Sequence, residues 1–67
     1  MIIIIKHKGN VELLHGEAKR PAYQYVEAWQ REKAAMTLGG NLPPVSWKVA
    51  ESENLIEAMI ESAKVNL

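Results

Sequence analysis

The fold of this chain is decided by residues 1–15, MIIIIKHKGNVELLH. The run from Ile2 to Ile5 is β-branched and favours a strand. Because side chains alternate across a strand, both faces of this strand are apolar. Strands of this kind usually lie in the centre of a sheet with both faces covered. Gly9-Asn10 is typical of a two-residue hairpin loop, so the sequence predicts a returning strand over Val11 to His15.

The predicted loop fixes how the two strands of the hairpin pair. With Gly9-Asn10 at the turn, Lys8 faces Val11 and His7 faces Glu12. The hairpin then has two apolar faces, one formed by Ile3, Ile5 and Leu14 and the other by Ile2, Ile4, Val11 and Leu13.

The segment after this hairpin has the pattern of an amphipathic helix. Pro21 suits the first helical position, and Gly39-Gly40 suits the end, with Gly39 as a left-handed cap. Apolar side chains recur between them at helical spacing. They are Ala22, Tyr25, Val26, Trp29 and Met36.

The remaining residues predict one more strand and one more helix. Residues 41–44 form a linker that Pro43 and Pro44 hold extended. Residues 45–49 alternate as a half-buried strand, and Pro44 favours an edge position for it. Ser52 is the expected N-cap of the last helix, with Asn54 as a rival. That helix has an apolar stripe and an opposite face that is expected to meet water. The stripe comprises Leu55, Ile56, Met59, Ile60, Ala63 and Leu67, and the opposite face carries Glu53, Glu57 and Glu61.

These elements predict an α+β fold of order β-β-α-β-α, with residues 1–67 as a single compact domain. The three strands are expected to form a mainly antiparallel sheet in the order 2-1-3. We expect both helices on one face of the sheet, the usual two-layer solution. The alternative arrangement places one helix on each face.

Composition narrows the functional classes. The chain has 67 residues, no cysteine and a net charge of zero, which excludes disulfides and disfavours a dedicated nucleic-acid binder. His7 and His15 are too few for a structural zinc site, so no metal or cofactor is predicted. The apolar run is too short to cross a membrane, and the expected location is the cytoplasm. No nucleophile elbow, phosphate loop or metal-ligand cluster is present in the sequence, and we expect no enzymatic activity.

The two-layer arrangement would leave one apolar sheet face exposed, and exposed apolar patches mark interaction sites. The leading hypothesis is therefore a small interaction or regulatory module that binds a protein partner or forms a homodimer through its sheet. Tyr23 lies off the first helix's stripe and adds an exposed aromatic. The predicted partner-binding residues are Ile2, Ile4, Val11, Leu13 and Tyr23.

The alternative hypothesis is weak nucleic-acid binding through a basic patch near the hairpin tip. Lysine and arginine bind backbone phosphates without reading sequence. The residues of this patch would be Lys6, Lys8, Lys19 and Arg20.

Overall fold

The computed structural model describes residues 1–37, 39–40 and 44–67. Within these residues the elements are β1 (Ile2–His7), β2 (Asn10–His15), α1 (Ala22–Met36), β3 (Ser46–Val49) and α2 (Leu55–Lys64). β1 is the central strand and pairs antiparallel with both neighbours, so the sheet order is β2-β1-β3. The predicted α+β class, element order and strand order are confirmed. The predicted linker falls largely on Asn41, Leu42 and Pro43, which lie outside the described residues.

The hairpin turn lies one residue earlier than predicted. Lys8 and Gly9 form it, with φ angles of 50° and 79°, and positive φ at both central residues is the requirement of a type I′ turn. His7 therefore pairs with Asn10, and the predicted pairing of His7 with Glu12 is wrong. The register differs from the prediction by two residues. A shift of two residues preserves side-chain alternation, so the two predicted apolar faces survive.

The two helices lie on opposite faces of the sheet. Val26 and Trp29 of α1 pack with Ile3 and Ile5, whereas Ala58 of α2 packs on the other face in a cluster formed by Ile2, Ile4, Ala50 and Ala58. The predicted two-layer packing is therefore wrong, and the described residues form three layers with the sheet between the two helices. The physical reason is β1 itself, because a central strand with isoleucine on both faces needs cover on both.

Both helices begin at positions that differ from the predictions. α1 begins at Ala22, so Pro21 is its N-cap and not its first helical residue, and the helix ends before Gly39, whose φ is 95°. Met36 is 82% exposed, so the buried stripe of α1 stops before the helix does. Asn54, the rival candidate, is the N-cap of α2, and its Oδ1 accepts a hydrogen bond from the Glu57 N–H at 3.2 Å.

Candidate functional site

The most unusual surface of the structure is the solvent-facing side of α2. Four large apolar side chains point outward there, and we call them the α2 outer face. Their exposed fractions are 48% for Leu55, 69% for Ile56, 55% for Met59 and 52% for Ile60. A surface helix normally turns such a stripe towards the core. The predicted stripe exists, but its predicted direction is wrong.

The side of α2 that contacts the sheet is small and partly polar. Ala58 is fully buried against Ile2 and Ile4, and it is the buried residue of this helix. Glu61 and Ser62, one turn later, are half-buried. A helix rotates by about 100° per residue, so turning Ala58 inward places Ile56 on the opposite, outer side.

An ion pair helps to hold α2 in this rotation. Lys48 Nζ on β3 lies 2.9 Å from Glu61 Oε2 on α2, and the Glu51 N–H donates to Glu61 Oε1 at 2.9 Å. The hydrogen bond from Lys48, with that from the Glu51 backbone, lowers the pKa of Glu61 below its usual value. The same hydrogen bond to Glu61 raises the pKa of Lys48. Glu61 therefore faces the sheet and not, as predicted, the solvent.

A second contact anchors the C-terminal end of α2. Lys6 Nζ donates a hydrogen bond to the Val65 carbonyl at 2.7 Å. Val65 itself packs against the cluster that contains Ile2 and Ile4. A cation on the last carbonyls of a helix is stabilising, because those groups carry the negative end of the helix dipole.

The five predicted partner-binding residues are not brought together as one patch. Ile2 and Ile4 are buried, with exposed fractions of 1% and 0%, so the exposed sheet face predicted around them is covered by α2. Leu13 is partly buried against the same cluster. Val11 is 42% exposed on that sheet face. Tyr23 is 50% exposed, but it lies on α1 and therefore on the other side of the molecule.

The predicted basic patch is divided between two ends of the sheet. Lys8 is in the hairpin turn, whereas Lys19 and Arg20 follow Gly16, which is hydrogen-bonded to Met1 at the opposite end. These ends are on the order of 16–20 Å apart at the usual rise per residue of a strand. Lys6 is engaged with α2, as described above. The structure therefore does not assemble one phosphate-binding surface from these four residues, and nucleic-acid binding stays a prediction.

The two histidines lie apart from each other on the hairpin. His7 packs edge-on against Trp29 with the ring centres 5.4 Å apart, and its Nε2 is buried without a hydrogen-bond partner in the described structure. His15 is exposed at the end of β2. Glu12 Oε1 lies 3.8 Å from Nζ of Lys33 on α1. In the sheet, Glu12 of β2 pairs with Ile5 of β1. No group of three or more histidines and carboxylates suited to a metal occurs among the described residues.

A second exposed apolar area lies on β3. Trp47 and Val49 are 37% and 40% exposed on the α1 side of the sheet. α1 packs over β1 and β2, as its contacts to His7 and Glu12 show, and so it leaves β3 partly open. In the described residues β3 pairs with β1 alone. Lys48 in the middle of this short edge strand disfavours pairing with another strand.

Comparisons with protein-family models, with curated proteins and with solved structures found no match. Neither helix of the described residues combines the length and the apolar character that crossing a membrane requires. The α2 outer face is therefore the candidate functional site on physical grounds alone.

Proposed function

We propose that this chain is a small non-enzymatic protein-interaction module, and that it binds its partner through the α2 outer face. The observation that carries the proposal is the outward direction of Leu55, Ile56, Met59 and Ile60. Fully burying one such side chain stabilises by about 1.5–3 kcal/mol. Covering the exposed half of each therefore contributes about 1 kcal/mol per side chain.

The rest of the fold supports a role for this face in binding. Among the described residues, the cluster around Ile2 and Ile4 includes Ala58 and Val65 from the α2 side and none of these four side chains. The four side chains of the α2 outer face are therefore not needed to form this cluster. Contiguous exposed apolar groups of this kind mark protein-interaction sites. An acidic helical residue at one end of the face, Glu57, and a basic one at the other, Lys64, give it a charged rim.

A comparison of three tagged chains tests the proposal. Ile56→Lys places a charge in the middle of the face, and we expect the variant to fold because Ile56 is 69% exposed. Ala28→Lys adds the same charge at an exposed position of α1 and serves as the matched control. Circular dichroism and thermal unfolding establish that all three chains fold.

The readout is retention of proteins from an extract of the source cells, together with retention of a differently tagged copy of the chain. We expect wild type and Ala28→Lys to retain a specific protein or the second copy, and Ile56→Lys to lose it. Equal retention by all three chains, or retention of nothing by wild type, contradicts the proposal.

A further inference from the structure

Two charged residues flank the α2 outer face on the same side. Glu57 and Lys64 are seven residues apart, which is two helical turns, so their side chains lie on one flank of the helix. Both are exposed. Within the described part of the chain, neither one has an ion-pair partner.

The position of these charges distinguishes between the two ways of pairing α2 with a copy of itself. In a parallel twofold pair the flank that carries Glu57 and Lys64 lies beside the opposite flank of the partner's helix, which carries Leu55 and Met59, so neither charge meets an opposite charge on the partner's α2. In an antiparallel pair around a twofold axis, Glu57 lies opposite the partner's Lys64, and the symmetry creates a second, identical ion pair. The antiparallel pair also places the positive end of each helix dipole beside the negative end of the other, which is favourable.

We propose that the occupant of the α2 outer face is α2 of a second copy of this chain, in an antiparallel, twofold-symmetric pair. This inference rests on the proposed function, since it names the partner of the same surface. Pairing Glu57 with the partner's Lys64 puts the symmetry axis between positions 60 and 61. Ile60 and Ala63 then lie near the axis, where the small side chain of Ala63 permits a close approach of the helices.

The size of the face sets the expected affinity. The four side chains expose roughly half of their surface, or about 400–500 Å² per protomer, which is within the usual size of the largest apolar patch on a monomer. A standard stable interface buries about 800 Å² per partner. The dimer is therefore weak, and it is populated at protein concentrations of about 0.1–1 mM.

Charge reversal provides the test. Sedimentation equilibrium in low-salt buffer, up to about 1 mM protein, measures the dimer dissociation constant of wild type, Glu57→Lys, Lys64→Glu and the double variant. Each single reversal makes both symmetry-related contacts repulsive, and we expect the dissociation constant to rise about fivefold to tenfold. The double variant restores two attractive pairs, and its dissociation constant should return to within about threefold of wild type. In the double variant both reversed charges are unfavourable for the dipole of their own helix. A restored dissociation constant would therefore come from the ion pairs between the two copies and not from a more stable helix.

The results that would contradict this inference differ from those that would contradict the proposed function. A wild-type chain that remains monomeric at about 1 mM overturns the second copy as occupant, while retention of a different protein that depends on Ile56 still supports an interaction module. Dimers that are unaffected by the single reversals overturn the antiparallel arrangement. Dimers that are unaffected by Ile56→Lys overturn both the inference and the assigned surface.

Discussion

Lys48 Nζ lies 2.9 Å from Glu61 Oε2, and this ion pair joins the edge strand β3 to the outer layer formed by α2. Glu61 also accepts a hydrogen bond from the Glu51 backbone, so both of its carboxylate oxygens are engaged on the sheet side. A helix that turns Glu61 and Ala58 towards the sheet turns Ile56 and Ile60 away from it. The exposure of the α2 outer face is thus coupled to the two polar contacts of Glu61 on the sheet side.

The first prediction concerns stability at acid pH. The pKa of Glu61 is lower in the folded chain than its ordinary value of 4.5, with the Lys48 hydrogen bond as the main cause. A carboxyl group with a depressed folded pKa adds stability that is complete above its unfolded pKa and is lost as pH falls through the folded pKa. We expect Glu61→Gln to lower the thermal midpoint at pH 7, and the difference from wild type to shrink as pH falls below about 4.5.

Thermal unfolding of both chains between about pH 2.5 and 7 measures this effect. Glu53→Gln is the matched control, because Glu53 is exposed and precedes the helix. A Glu61→Gln deficit that stays constant down to pH 2.5 would show that the ionised carboxylate is not what stabilises the contact.

The second prediction concerns the close approach of α2 to the sheet. Ala58 is fully buried against β1, so a larger side chain there has no room. We expect Ala58→Leu to lower the free energy of unfolding by about 1–3 kcal/mol. The same substitution at the exposed Ala28 of α1 should change it by less than about 0.5 kcal/mol. Urea titration measures both, and equal values for the two variants would contradict the packing of α2 described above.

Much of the architecture can be predicted from residues 1–15. The run Ile2 to Ile5 is apolar on both sides, and this alone predicts a central strand, from which the order β2-β1-β3 follows. Because both sides of this run are apolar, the run also predicts that both faces of the sheet are covered. The two-layer expectation failed because it gave the general preference for two layers more weight than these four side chains.

The sequence predicts which residues form the candidate site but not the direction in which they face. Spacing identifies the stripe of Leu55, Ile56, Met59 and Ile60, but periodicity gives the relative positions of side chains and not the direction of the helix. That direction depends on Lys48 and Glu61, which are 13 residues apart and meet only in the folded chain. The sequence signal that would have helped is Ala58, a small residue placed where a helix can approach a sheet closely.

The third prediction concerns the hairpin turn, which lies at Lys8 and Gly9, one residue before the predicted position. Gly9 has a φ of 79°, and a Cβ added there would meet nothing within 4 Å, so any penalty for a side chain comes from the backbone alone. We expect Gly9→Ala to cost about 1–2 kcal/mol of unfolding free energy. Lys8→Asn should instead stabilise by a few tenths of a kcal/mol, because asparagine tolerates the positive φ of 50° at that position. Urea titration of both variants checks the pair, and a neutral Gly9→Ala would contradict the Lys8-Gly9 turn.

The fourth prediction concerns the opposite end of the hairpin, where α1 meets the sheet. A Cβ on Gly16 would lie 2.8 Å from Cε2 and 2.9 Å from Cδ2 of Tyr25. The Tyr25 ring cannot move freely, because its hydroxyl oxygen accepts a hydrogen bond from the Glu17 N–H at 2.8 Å. We therefore expect Gly16→Ala to destabilise the fold by about 1–3 kcal/mol.

A double-mutant cycle separates this clash from a general effect of alanine at position 16. In a Tyr25→Ala background the obstructing ring is gone, and Gly16→Ala should then cost less than about 0.5 kcal/mol. The φ of Gly16 is not in the left-handed region, so alanine meets no backbone strain there. An equal cost of Gly16→Ala in both backgrounds would mean that Tyr25 does not pack over Gly16, and that α1 is not seated on this end of the sheet.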